Sequence, residues 1–300
     1  MVDRLNQSKI PCVIYYKLPI HMMAAFSFLG YKAGDLPVSE KLSRLIDLLK
    51  YKASKLANTK KIIFSMHGIH YNDFFKIYSA EAKKNGSKLI LSDHGGGLKR
   101  KLNMIDNYHE RIADKKISWD RTNKKSFFLK LSPTLPIIAK TKINKKPNNQ
   151  FFTIIYAECS RYQTRVQSIP FLNDDVKDFV NIVKLTKGLR SNIKKRLKFR
   201  LKQTLSINSE KIFSDLFGRR TIDTPTKHNT YYRSLINSKL VLMTYPTTSF
   251  SESMQLNIPT ILVCKKETWQ FEKSSLKMFN SLKKNKIAFE NFVEARKHIN

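Results

Sequence analysis

KLILSDHGGG, residues 88–97, is the stretch on which the fold turns. Lys88–Ser92 is a short run rich in Leu and Ile, as expected of a strand buried on both faces of a parallel sheet. Gly95, Gly96 and Gly97 follow almost at once, so the backbone there can turn sharply and approach a ligand closely. Their successive N–H groups can form an anion-binding nest. His94 then stands at the carboxyl end of a parallel strand, where open α/β sheets bind ligands. On this motif alone a tight turn with a hydrogen-bonded histidine stays open as the alternative.

Outward from this stretch, short apolar runs alternate with longer amphipathic ones. Lys61–Met66, Phe151–Ala157, Leu240–Tyr245 and Thr260–Cys264 are further strand candidates, all expected to be buried on both faces. Helices are expected over Ser39–Leu56, Asn72–Lys84, Asp174–Leu185, Phe250–Leu256 and Phe271–Leu282. Strand–helix alternation of this kind implies an α/β fold with parallel sheets covered on both faces. The polar, basic run between Ile138 and Asn149 reads as an interdomain linker. The expected division is a domain over 1–140 and another over 150–300, each sized for one doubly wound Rossmann-like sheet. Leu185–Ser209 is a second basic zone, expected to be solvated apart from a strand over Leu197–Leu201.

Among the 300 residues, Lys and Arg number 56 and Asp and Glu 23, a formal net charge of +33. Such a chain seeks phosphates, whether on nucleic acid, anionic lipid or a small molecule. Its richness in Lys, Asn and Ile, of the kind an AT-rich genome produces, accounts for part of the excess. Hydrophobic residues at 41% and aromatics at 11% exclude a disordered chain. Nucleic acid is not the expected partner. Stretches such as Lys194–Lys202 are basic, but no helix-turn-helix, RNA-recognition or zinc-finger signature accompanies them. Cys12, Cys159 and Cys264 are isolated, with neither disulfide nor zinc spacing, which fits a reducing cytoplasm. Cys12 and Cys264 read as buried thiols. The most apolar early stretch, Ile10–Gly30, is broken by Lys17, Pro19 and His21 and reads as a buried strand-turn-helix, not a secretory signal.

Three further clusters carry polar chemistry. His67 and His70 follow the strand KIIFSM, and Tyr71-Asn72-Asp73 then opens a helix. One cleft-facing histidine and one helix-capping cluster are expected there, since a third metal ligand at convincing spacing is missing. His109 and Glu110 are expected on a loop at the rim of the same cleft. The second strong constellation is Tyr245-Pro-Thr-Thr-Ser-Phe-Ser-Glu252, between the strand LVLMTY and a helix beginning near Phe250. Thr247, Thr248 and Ser249 sit where a helix N-terminus presents free N–H groups, a natural phosphate site. Glu252 falls in the first turn, where it can accept from vicinal hydroxyls such as those of a ribose. A capping box, with Ser249 as N-cap and Glu252 at the third helical position, stays open beside that reading. Phe250, Met254 and Ile258 are expected to hold the helix on the sheet.

The ordered pieces Ile69–Lys76, Gly86–Leu91, His94–Gly97, His109 to Asp114, Ile117–Trp119, Thr244 to Glu252, Asn257–Ile261 and Trp269 resemble a bacterial family. Its members are transferases linked to surface carbohydrate biosynthesis and related in architecture to GT-B glycosyltransferases. The resemblance spans roughly residues 60 to 299. It implies two Rossmann-like domains facing a cleft, with a short N-terminal domain. It also implies transfer of a sugar from a nucleotide-activated donor to a surface-polysaccharide or lipid-linked acceptor. A polyol-phosphate transferase of the same architecture is the neighbouring alternative, and a basic nucleic-acid-binding protein or a non-catalytic descendant a further one. The donor is substrate, and no cofactor or metal is expected. By the same resemblance His94, with His70, His109 and Glu110, belongs to the catalytic side. Gly95, Gly96, Gly97, Arg200, Thr247, Thr248, Ser249 and Glu252 belong to the donor side. Leu98 and Lys99 stand where the family loop has Tyr and Gly. Phe199-Arg200-Leu201-Lys202 lacks the histidine of the corresponding family segment. Family members are commonly longer at the N-terminus, so a short version, fragment or diverged paralogue is expected. The charge and the lipid-linked acceptor together imply a cytoplasmic protein peripheral to an anionic inner-membrane face.

Overall fold

The computed structural model describes residues 39–57, 61–66, 68–93, 95–99, 104–118, 128–130, 150–158, 172–202 and 208–300. The chain packs as two compact units, residues 1–89 and 90–300, with the boundary inside one strand. The linker expected between Ile138 and Asn149, the stretch Ile10–Gly30, Cys12 and Cys159 lie outside the described residues.

In the first unit, helix α1 (Ser39–Leu56) packs on α3 (Asp73–Lys84), with strand β1 (Ile62–Ser65) and the short α2 (Gly68–Tyr71) between them in sequence. Asn72 caps α3, its side-chain oxygen accepting the N–H of Phe75 at 2.9 Å, which realises the expected capping cluster. β1 is not buried on both faces. Its two-residue period leaves Ile62 and Phe64 exposed while Ile63 and Ser65 are buried.

β2 (Lys88–Ser92) stands in a sheet of order β1-β2-β3-β4. Helix α4 (Met104–Ile112) precedes β3 (Lys115–Ser118), which pairs in parallel with β2 and with β4 (Phe128–Lys130). The run KKIS of β3 escapes an apolar-run search because of Lys116. That side chain is buried, with its ammonium 3.3 Å from the Asp93 carboxylate, which also accepts the Ser118 hydroxyl at 2.8 Å. Pairing is what makes a buried ammonium tolerable.

The second sheet has the order β6-β5-β7-β8-β9, all parallel, from β5 (Phe151–Ala157), β6 (Leu197–Lys202), β7 (Ser238–Met243), β8 (Thr260–Val263) and β9 (Ala288–Phe289). Strand alternation feeds two cores. Val241, Met243 and Leu262 join Leu235 of α8 (Tyr231–Ile236), Phe250 of α9 (Thr248–Gln255) and Phe279 of α11 (Lys273–Lys284) on one face. Trp269, in α10 (Lys266–Trp269), is buried in the same core. Ile154, Tyr156, Leu242 and Ile261 join Phe179 of α5 (Leu172–Lys187), Phe213 of α7 (Ser209–Phe217) and Ala295 of α12 (Phe292–Ile299) on the other. Phe199 stacks on Phe213 with ring centroids 4.1 Å apart. Helices thus cover both faces, as the continuous apolar strands required. The described part of Leu185–Ser209 is not a solvated zone around one strand. It closes α5, forms α6 (Ser191–Lys194) and β6, and buries Leu185, Leu189, Leu197 and Phe199. Cys264 is buried as expected, and burial pushes its thiol well up.

In this sheet β5 is followed in sequence by its neighbour β6 on one side, and β7 lies on its other side. The strand order therefore reverses between β5 and β7, and ligands of open α/β sheets bind beyond the carboxyl ends of strands at that point.

Candidate functional site

The loop Thr244–Thr247 leaves β7 at that switch point. α9 starts at Thr248, earlier than expected, with Thr247 as its N-cap. The Thr247 side chain makes no capping bond. Thr247 O accepts from the N–H groups of Phe250 and Ser251 at 3.1 and 3.2 Å, while those of Thr248 and Ser249 have no acceptor within the helix, as at any helix start. The capping box does not form. Ser249 is the second helical residue and Glu252 the fifth, two positions beyond the one from which a side chain bonds back to the cap. Phe250 and Ile258 hold the helix down as expected, but Met254 is exposed. The inward positions are Phe250, Glu252 and Ser253, one turn before Leu256.

Glu252 is buried, at 8% exposure, and accepts the Tyr232 hydroxyl on Oε1 at 2.8 Å. Among the described residues Tyr232 is its one hydrogen-bond donor. Burial pushes the Glu252 carboxyl above its ordinary value, and the Tyr232 bond pulls it partly back. Tyr231 donates to Ser249 O at 3.4 Å, and the Tyr245 hydroxyl lies 3.3 Å from Ser249 Oγ. Burial also pushes all three phenols up, so they are neutral hydroxyls at physiological pH.

The glycine loop docks on the same element. A Cβ on Gly95 would lie 2.0 Å from Thr248 Oγ1, and one on Gly97 2.3 Å from Pro246 O. Leu98 donates its N–H to Pro246 O at 2.9 Å, Lys99 its N–H to Ser275 Oγ at 2.7 Å, and Glu272 its N–H to Lys99 O at 3.0 Å. The glycines expected to admit a ligand therefore admit, at positions 95 and 97, the backbone and threonine of the loop before α9. Gly96, between them, is half-buried.

The remaining candidates scatter. Arg200, on β6, is buried. It donates to the carbonyls of Asp223 and Asn229 at 3.2 Å each and lies 3.7 Å from the Asp223 carboxylate. It thereby ties down the segment that leads into α8. Glu158, just beyond β5, is also buried and accepts the Ser209 N–H at the start of α7 at 2.6 Å. His109 and Glu110 lie on helix α4, not on a loop, and His109 is buried because the inward stripe of that helix falls on it. His70 is half-buried in α2. His67 and His94 lie outside the described residues. Among the described residues no three His, Cys, Asp or Glu side chains gather as a metal site. Sequence reading missed Tyr231 and Tyr232. The usable signal was a Tyr-Tyr pair directly after Thr230, which caps α8 by accepting the Arg233 N–H at 3.3 Å.

The model of a family described as "LIC12162 family transferase" matches residues 36–300. The crystal structure of Acinetobacter baumannii MurG matches with a TM-score of 0.42 and 10% sequence identity. That match covers 78% of this chain and 60% of that one, so the chain spans less than two-thirds of the MurG structure's length. Among curated proteins none matches the chain.

Proposed function

The chain belongs to the LIC12162 family of transferases, and from that membership we propose that it moves a sugar from a nucleotide-activated donor to a surface-polysaccharide or lipid-linked acceptor. In this reading the fold is of GT-B type, with an acceptor-side domain over 1–140 and a donor domain over 150–300. The diphosphate rests on the N-terminus of α9, at Thr247, Thr248 and Ser249, with Gly95–Gly97 alongside. Arg200 turns its remaining N–H donors to the diphosphate. Glu252 takes the vicinal hydroxyls of the ribose. The acceptor hydroxyl attacks the anomeric carbon, a new C–O bond forms, and the bond to the departing phosphate breaks. His94 either takes the acceptor's proton or binds the phosphate, with His70, His109 and Glu110 on the same acceptor side. The departing charge is stabilised by helix N–H groups and cations, without a metal. The protein works in the cytoplasm at the inner membrane face.

The observation that carries this reading is Glu252. It is a buried carboxylate with, among the described residues, a single hydrogen-bond donor, set behind a helix N-terminus at the switch point of a parallel sheet. Its test is calorimetric titration of uridine, guanosine, cytidine and adenosine diphosphates, followed by the 2′-deoxy form of the tightest binder. Glu252→Gln keeps an acceptor for Tyr232, so the fold survives. It loses the charge-assisted bonds, and affinity is expected to fall by roughly 1.5–3 kcal/mol. An unchanged affinity, with no penalty for the deoxy ligand, returns Glu252 to a structural role.

A further inference from the structure

We infer that Tyr232 is a positioning residue of the donor site: its hydroxyl fixes the Glu252 carboxylate through Oε1 and leaves Oε2 for the sugar hydroxyls of a nucleoside diphosphate. This inference rests on the ribose role proposed for Glu252. It adds a residue from a different element, twenty positions upstream, that touches no substrate itself.

A glutamate reaches its site through three rotatable bonds, and a buried carboxylate without a donor is costly enough to take up a proton. Tyr232 meets both difficulties with one bond of 2.8 Å. Its own place is secured independently. Thr230 caps α8, Leu235 and Ser234 are buried beneath it, and the Tyr231 hydroxyl reaches Ser249 O. The approach to α8 is pinned by Arg200 on the Asn229 carbonyl. The titratable groups facing Glu252 are the phenols of Tyr232 and Tyr231 on α8 and of Tyr245 on the preceding loop. Burial holds all three neutral. No described charged side chain is paired with the carboxylate. Tyr232→Phe therefore removes the one bond that draws the Glu252 carboxyl back down, and protonation of Glu252 moves further up in pH. Since the ionised form accepts the sugar hydroxyls, binding must weaken as pH falls and recover as it rises.

The test uses the whole chain, with the tightest-binding ribonucleoside diphosphate of the panel and its 2′-deoxy form as probes. Tyr232→Phe keeps the ring, and thermal unfolding checks that the fold is retained. The expected loss of ribonucleotide affinity is about 10-fold at the acid end of a pH series and shrinks as pH rises, with little change for the deoxy probe. In a Glu252→Gln background the same substitution is expected to add almost nothing, since it acts through that carboxylate. Equal loss for both probes at every pH, additive with Glu252→Gln, makes Tyr232 a packing residue and overturns the inference. Parent-like binding by Tyr232→Phe, while Glu252→Gln and the deoxy probe both show their penalties, overturns it while leaving the ribose reading standing. Absence of those two penalties overturns both.

Discussion

Gly97 holds a backbone φ of +146°, a region that side-chain-bearing residues avoid. Even without that constraint, a Cβ would press on backbone, 2.3 Å from Pro246 O and 2.6 Å from Thr247 Cα. Backbone cannot rotate away as a side chain can. Gly97→Ala is therefore expected to cost about 2–3 kcal/mol, read as a lower urea midpoint with an unchanged slope. Gly95 differs in kind. Its obstacle is the Thr248 hydroxyl, so Gly95→Ala should be largely rescued by Thr248→Ala, whereas that second change leaves Gly97→Ala unrepaired. Parent-like urea midpoints for both single variants would mean that the loop docks differently. The glycine motif was legible as a close approach of backbone to something. What it approached was not, because Pro246 lies about 150 positions away and no local pattern ties the two together.

Helix α5 shows what an element adds. Its inward stripe is Phe179, Ile182 and Leu185, while Val176 and Val180 are exposed. That stripe leaves Asp178 half-buried, near Asp175 and Asp174. Burial first, and Asp175 next, push its carboxyl from 3.8 to about 7, with Lys265 pulling the other way. The folded protein thus holds an extra proton between those values, and this group's contribution to stability declines as pH rises from about 4 through about 7. Asp178→Asn should leave stability near pH 4 almost unchanged and raise it above pH 7 by about 1–2 kcal/mol, the site's partial hydration keeping the gain modest. Thermal unfolding from pH 4 to 8 measures this, and parallel curves for parent and variant would discount Asp178. Elements of this kind were legible where sequence and burial share a period. β2, β5 and α1 have the bounds the sequence predicts. β3 was hidden by Lys116, whose partner Asp93 stands just beyond the end of β2. Glu252 was found, but its partner was not, because Tyr232 sits on a six-residue helix with no amphipathic run to announce it.

At the scale of the whole molecule the net charge of +33 stands beside helices of which, among the described residues, none is long and apolar enough to cross a membrane. The proposed attachment is therefore electrostatic, each cation near an anionic surface contributing about 1 kcal/mol. Flotation should recover the protein with anionic vesicles at low salt and release it at high salt, and equal recovery with neutral vesicles would end that proposal. The glycine loop has a consequence on a different axis, that of time. The bond from Lys99 to Ser275 spans 176 positions. At ribosomal rates that is roughly 10–35 s of synthesis. For most of that interval the nascent chain carries its His-Gly-Gly-Gly segment with no docking partner yet made, waiting first for the loop and then for the helix that receive it. The two motifs are written far apart and meet only once both have been translated.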